Sequence, residues 1–228
     1  MNYIFFSILY FLPHDRNGDE YSKYILNTHH HYDHVGGNIE LKKKYNSKII
    51  GFKDDKDRIP EIDIMVENNQ IWKEENFEAK IYHIPGHTTG HIAFHFFKEK
   101  KIFTGDTLFS LGCGRVFEGD HRDMFKSLGK LKILPPETKI YCGHEYTKKN
   151  LDFCLKYDTE NSSLADKAKS VILKIDKNLP TVPTTLQEEL NTNIFLRCND
   201  LKLKKVLNLE HSSDLEIFSK LRDLKDDF

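Results

Sequence analysis

The chain has 228 residues, enough for one sizeable domain with a small appendage. Its 34 Lys and Arg are balanced by 35 Asp and Glu, so no electrostatic argument favours nucleic acid or an anionic membrane as a partner. Cys113, Cys142, Cys154 and Cys198 show neither C-x-x-C spacing nor the density of a disulfide framework, and they read as reduced thiols in the cytoplasm.

Residues 1–12 are apolar, yet too short to span a bilayer and not preceded by a basic residue. A buried strand is the expected form, with a leader directing the chain to an organelle as the alternative, and residues 13–18 read as a turn. Strand-like runs follow at 24–27, 48–52, 80–84, 92–97, 101–104 and 139–142. Between them, helices are expected at 37–45 and at 123–133, the second with Met124, Leu128 and Leu131 on one side and closed by Pro135-Pro136. This alternation fits a sandwich of two sheets with helices outside. After about Lys149 the strand signals stop, and 151–157, 163–177 and 185–190 read as helices. The last helix opens on the capping box Ser213-Asp214-Leu215-Glu216 and carries the apolar stripe Leu215, Phe218, Leu221 and Leu224. The expected division is an α/β unit over 1–149 and an all-helical unit over 150–228.

The stretch Thr28-His29-His30-His31-Tyr32-Asp33-His34 concentrates imidazole and carboxylate donors, a mixture suited to zinc, iron or manganese. A solvated histidine tract or a purification tag is the competing reading. This run, however, is internal, interrupted by Asp33 and preceded by the apolar pair Ile25-Leu26. Three later strand-like runs each end in a Gly-flanked His or Asp: Pro85-Gly86-His87-Thr88-Thr89-Gly90-His91, Thr104-Gly105-Asp106-Thr107 and Cys142-Gly143-His144. Glycine allows the sharp turn and the close backbone approach that an ion requires. Arg222 and Lys225 stand three apart on the last helix and could both reach one anion; from pattern alone a solvated basic flank explains them as well.

With these motifs in order, the chain resembles the metallo-β-lactamase-fold hydrolases and, among them, glyoxalase II, the hydroxyacylglutathione hydrolases. The metal motifs are shared across the superfamily. More specific are Asp106-Thr107-Leu108-Phe109, Gly112-Cys113-Gly114-Arg115, Glu118-Gly119, His144-Glu145-Tyr146-Thr147, the segment from Pro180 to Leu186 and the ending Arg222-x-x-Lys225-Asp226-x-Phe228. The resemblance implies an αββα sandwich with a C-terminal helical substrate-binding domain. Only 27 residues precede Thr28, a shorter lead-in than relatives carry, so an N-terminally shortened sandwich is expected.

By the same resemblance, His29, His31 and His87 hold one divalent ion, Asp33, His34 and His144 hold a second, and Asp106 bridges them. Two zinc ions are expected, with iron or manganese as alternatives. Asp33 and Asp106 are the expected catalytic acids, Asp33 doubling as a proton acceptor. Arg115, Phe117, Tyr146, Arg222 and Lys225 are expected to bind the thiol donor, the last two at its glycine carboxylate. Phe117 stands where relatives often have Tyr, and the missing hydroxyl is expected to weaken binding by about 1 kcal/mol. The expected partner is a small glutathione thioester bound by a monomer, with no nucleic acid and no membrane. His91 is expected to support the metal loop, and His30 to point away from the ions. His14, His83, His95, His121 and His211 read as surface or packing groups. Three alternatives stay open at this level: a mononuclear-iron glutathione-persulfide dioxygenase, a nuclease of the same fold, which would need a basic groove, and a non-catalytic metal-binding remnant.

Overall fold

The computed structural model describes the backbone of residues 8–12, 21–74 and 77–228, and the side chains of residues 23–74 and 77–228. In chain order it contains strands β1 (Ile8–Leu12) and β2 (Tyr21–Leu26), helices α1 (Tyr32–Val35) and α2 (Asn38–Tyr45), then strands β3 (Lys48–Phe52), β4 (Ile62–Val66), β5 (Ile71–Glu74), β6 (Phe77–His83), β7 (Ile92–Phe96) and β8 (Lys101–Gly105). A hairpin of β9 (Leu108–Phe109) and β10 (Gly112–Cys113) leads to α3 (His121–Lys132) and β11 (Lys139–Cys142). Helices α4 (Thr147–Tyr157) and α5 (Ser162–Asp176), the short strand β12 (Thr184–Thr185), and helices α6 (Leu186–Thr192), α7 (Leu201–Val206) and α8 (Asp214–Asp226) complete the chain.

The strands form two main sheets, ordered β1-β2-β3-β4 and β12-β11-β8-β7-β6-β5. Their facing sides make the interior: Tyr24, Leu26, Ile50, Phe52 and Val66 from the first meet Trp72, Ala79, Ile81, Ile92, Phe94 and Phe96 from the second. Because successive strand residues point to opposite faces, Ile49 turns outward instead and packs with Ile25, Val35 and Ile59, with Leu41 of α2 against them. On the outer face of the second sheet, Ala93, Ile102 and Ile140 join Met124, Leu128 and Leu131 of α3. That cluster continues without a break into Phe153, Phe195 and Phe218 of the C-terminal helices. The layers are therefore helix, sheet, sheet and helix, and the mixed α/β sandwich with a helical C-terminal region matches the expected fold class.

Strands β4, β5 and β12 go beyond the sequence expectation. In β4, Ile62 and Ile64 alternate with Asp63 and Met65, but charged loops on both sides hide the pattern. Strand β12 corrects the reading that strands end near Lys149: Thr185 and Thr184 pair with Lys139 and Ile140 of β11. Two residues are too few to show a period. At the N-terminus, β1 pairs antiparallel with β2. The expected turn at 13–18 and the first seven residues of the expected strand lie outside the described residues. Among the described residues no helix is long and apolar enough to cross a membrane.

Candidate metal centre and its cleft

Strand β7 runs antiparallel to both β6 and β8, and β8 runs parallel to β11, so β6, β8 and β11 all end at one edge of the second sheet. Past those ends lie the loop carrying His87 and His91, then Asp106, then His144. Strand β2 brings the His29–His34 segment to the same edge from the first sheet. Backbone bonds seam the loops together: Ile92 N–H donates to Thr28 O (2.8 Å) and Gly143 N–H to Gly105 O (2.9 Å). Buried Asn27 and Asn38 exchange amide hydrogen bonds (2.9 and 3.3 Å), and Asn27 also donates to His34 O (3.2 Å), which closes the first ligand loop on itself.

Within this edge the side-chain donors converge. His31 Nδ1 lies 3.2 Å from His29 Nε2 and 3.0 Å from His87 Nε2. His34 Nε2 is 3.3 Å from His144 Nε2 and 3.6 Å from Asp33 Oδ2, and His144 Nε2 is 3.2 Å from Asp33 Oδ2. Asp106 joins the groups, Oδ1 standing 3.3 Å from His34, and Oδ2 3.2 Å from His144 and 3.6 Å from His87. Three candidate ligand sets result: His29, His31 and His87; Asp33, His34 and His144; and an overlapping set of His29, His34 and Asp106. Around a tetrahedral ion with bonds of about 2.0–2.1 Å, neighbouring donors stand about 3.3–3.4 Å apart, so these spacings are those of a ligand shell. Buried Asp106 Oδ1 has no hydrogen-bond partner, which a cation would supply.

The protonation states of the first set and of Asp106 agree with this fit. Burial, and the neighbouring imidazoles His91 and His34, hold His29 well below its ordinary value; burial likewise lowers His31 and His87. Burial pushes the Asp106 carboxyl up, but hydrogen bonding from His144 and the adjoining His34 imidazole outweigh it and keep it well below the usual carboxylate range. That same hydrogen bond to Asp106 raises His144. At neutral pH the three imidazoles of the first set thus offer lone pairs and the central acid offers charge, the forms a metal ion takes. Outer partners fix the rings: His87 Nδ1 donates to Arg115 O (2.8 Å), turning Nε2 inward, and Thr28 Oγ1 lies 3.1 Å from His29 Nδ1. Fully buried His91 stacks on His29 with ring centres 4.6 Å apart, and its Nε2 accepts from Asp106 N–H (3.0 Å). The ring of His30 turns away from the cluster, toward Asp55.

A cleft of about 820 Å³ opens from the cluster and is lined by residues including Phe109, Arg115, Phe117, Tyr146, Lys149 and Lys225. Tyr146 stacks on His144 (4.9 Å). Phe117, 60% exposed, sets its ring edge-on to His31 and His87 at 5.8 and 5.2 Å. Lys225 donates to Lys149 O (3.1 Å), and burial, with help from the Arg222 charge, brings its ammonium down to about 8. Arg115 is tied to Asp226 (3.0 Å).

The structure places Arg222 differently from the sequence expectation. It is 3% exposed and lies behind the cleft wall rather than on it, donating to Cys113 O (2.8 Å) and Gly114 O (3.3 Å) and pairing with Asp226. The Cys113 carbonyl, at the end of the β9–β10 hairpin, is its nearest acceptor, and helical spacing cannot reveal it. Lys149 and Asn150 on the cleft wall were not singled out in the sequence; no motif marks them. Buried Glu189 holds the hairpin from below by accepting from Leu111 N–H (2.7 Å), whose residue has φ +60°. Glu145 joins two of the sequence motifs by accepting from Thr181 N–H (3.0 Å) and Val182 N–H (3.2 Å).

A two-sheet sandwich with a His/Asp cluster at one edge, a donor set suited to divalent metal, defines the metallo-β-lactamase superfamily. The family model described as "Metallo-beta-lactamase superfamily" matches residues 22–144, and the model described as "Hydroxyacylglutathione hydrolase C-terminus" matches 145–228. The fold is shared with ETHE1 from Myxococcus xanthus at a TM-score of 0.61 and 20% identity, covering 91% of this chain and 71% of that one. A hydroxyacylglutathione hydrolase from Pelagibacter ubique is 61% identical over 90% of this chain and 80% of its own length. One from Chelativorans is 47% identical over the same shares. The chain belongs to the hydroxyacylglutathione hydrolase family, glyoxalase II.

Proposed function

We propose that this protein hydrolyses S-(2-hydroxyacyl)glutathione thioesters, S-D-lactoylglutathione foremost, to glutathione and a 2-hydroxy acid such as D-lactate, the second step of methylglyoxal detoxification. The observation that carries the reading is the convergence of seven His and Asp donors at the floor of a cleft whose wall holds Arg115, Tyr146, Lys149 and Lys225. Residues 1–149 supply the metal centre, and 150–228 complete the thiol-donor side of the cleft.

His29, His31 and His87 would hold one ion, Asp33, His34 and His144 the other, and Asp106, which lies against both sets, would be shared between them. A donor set of imidazole and carboxylate without thiolate suits zinc, with iron or manganese also accommodated. Ions bound there would supply hydroxide near neutral pH and polarise the thioester carbonyl. The chain's own residues do the rest. His87 keeps its inward nitrogen unprotonated because Arg115 O accepts from the outward one, and Thr28 orients the ring of His29. Asp33, exposed at the mouth, would take the proton that a water loses in becoming hydroxide. The leaving thiolate is stable in water, so no general acid is needed. Lys225 and Arg115 bind the tripeptide's carboxylates, Tyr146 packs on it, and Arg222 acts by bracing the Cys113–Gly114 wall. The enzyme works as a cytoplasmic monomer; its four free cysteines are all buried.

The test is metal analysis of the purified protein together with thiol release from S-D-lactoylglutathione. Two ions per chain and release of glutathione support the reading. One iron with oxygen uptake on glutathione persulfide, or a folded protein without activity, overturns it.

A further inference from the structure

Beside the cluster, but sharing no donor with it, lies a charged network that the proposed chemistry does not use. Asp55 is 1% exposed and sits against the loop carrying His87 and His91: a Cβ on Gly90 would come within 2.2 Å of its carboxylate. Arg58 caps this buried acid, donating to Asp55 Oδ1 through Nε (2.9 Å) and through one terminal nitrogen. Its guanidinium also donates to Glu118 Oε1 (2.7 Å) and to Thr89 Oγ1 (3.1 Å). Thr89 in turn donates to Glu118 Oε2 through its N–H (2.8 Å) and its hydroxyl (2.9 Å). Partial burial pushes the Glu118 carboxyl up, yet these donors from Thr89 and Arg58 bring it down to about 2, so it is a full anion throughout the working range. On the far side of Asp55, His30 Nδ1 approaches Oδ2 at 3.3 Å. His30 stands between His29 and His31, and Thr89 lies between His87 and His91.

We infer that Arg58 is a positioning residue: with Asp55 and Glu118 it clamps the His29–His31 segment to the His87–His91 loop and so sets the geometry of the His29, His31 and His87 set. This rests on the two-metal reading above. A planar fork that reaches three acceptors on three segments suits arginine, and lysine, a point charge, would satisfy one or two of them at a time. Nothing in the network reaches Asp33, His34 or His144, whose loops are held by Asn27, Asn38 and the Gly143–Gly105 backbone bond. The clamp therefore bears on one ion of the pair. Partners that orient metal ligands are worth about 10–100-fold in metal affinity when changed.

Metal-depleted wild type and Arg58→Lys are titrated with cobalt(II), following visible absorbance, with circular dichroism as a check on folding. A double variant, Arg58→Met with Asp55→Asn, removes the guanidinium without leaving a buried carboxylate uncompensated. The expected result is two binding phases in wild type, and in both variants a loss of about 10–100-fold in one phase with the other within twofold. Unchanged constants in folded variants overturn the clamp, as does an equal fall in both phases, which marks general loosening of the fold. A wild type that takes up a single cobalt ion overturns the dinuclear reading instead, and weakening of that one ion in the variants still supports the clamp.

Discussion

Gly143→Ala adds one methyl group without altering a ligand, and the structure says where that methyl goes. A Cβ at residue 143 would stand 2.2 Å from Asp106 Oδ1 and 2.8 Å from His34 Cε1. Ordinary contact begins near 3.4 Å, so the carboxylate oxygen must retreat by about 1 Å. Asp106 is the end of a side chain and can rotate, which limits the cost to the fold to about 1–3 kcal/mol of overpacking. The site is less forgiving. Asp106 meets His34 through one oxygen and His144 and His87 through the other, and a carboxylate turned by 1 Å cannot keep all three spacings. Misplacement on that scale costs about 100-fold in rate. The assay is kcat on S-D-lactoylglutathione with metal content and melting temperature measured on the same preparation. Gly129→Ala is the control, since nothing lies within 4 Å of a Cβ there and the position is inside α3. It should be stabilised by about 0.5–1 kcal/mol and melt slightly higher, with unchanged kcat. A Gly143→Ala protein that folds, holds its metal and turns over at the wild-type rate would refute the assignment of Asp106 as the shared ligand.

Three further outcomes follow from the cleft and the cluster. Phe117→Tyr adds a hydroxyl at the cleft wall and should lower KM by about fivefold, the equivalent of about 1 kcal/mol; an unchanged KM means that the ring edge facing His31 and His87 does not meet substrate. Lys225 carries its charge below about pH 8 and loses it above, so kcat/KM, which reports the free enzyme, should fall as pH rises through that value. Lys225→Gln should start lower and lack that limb, and a parallel profile in the variant would contradict the contact. Removal of metal by chelation should lower the melting temperature, because the closely spaced donors around Asp106 lose the cation that binds only the folded chain; equal melting of metal-free and metal-loaded protein would count against a built site.

The candidate ligand loops were legible because each follows a β-strand, and in three of the four the ligand sits beside glycine, a local pattern that needs no knowledge of partners. Long, strongly patterned elements were legible for the same reason: α3 appears where its apolar spacing puts it, though it starts at His121 on an Asp120 cap and not at 123, and in α8 Ser213 and Glu216 form the capping box read from the sequence. What stayed hidden depends on residues far apart in the chain. Strand β12 exists only because Thr184 and Thr185 find β11. Arg222 and Lys225 share a helix face, yet one turns to the Cys113 carbonyl and the other to Lys149 O, targets that spacing cannot distinguish. The run from Lys53 to Arg58 looks like a solvated charged loop, although Asp55 within it is among the most buried acids of the chain. Its burial is set by Arg58, Gly90 and His30, and only the fold brings these together.

The central claim is that two ions, held by seven side chains, perform thioester hydrolysis. Its most direct test is the rate of S-D-lactoylglutathione hydrolysis as zinc is returned to the metal-free protein. The account predicts a rate that climbs to a plateau at two equivalents per chain, and Asp106→Ala that stays near zero throughout. A plateau reached at one equivalent, or an Asp106→Ala protein that follows the wild-type curve, would contradict it.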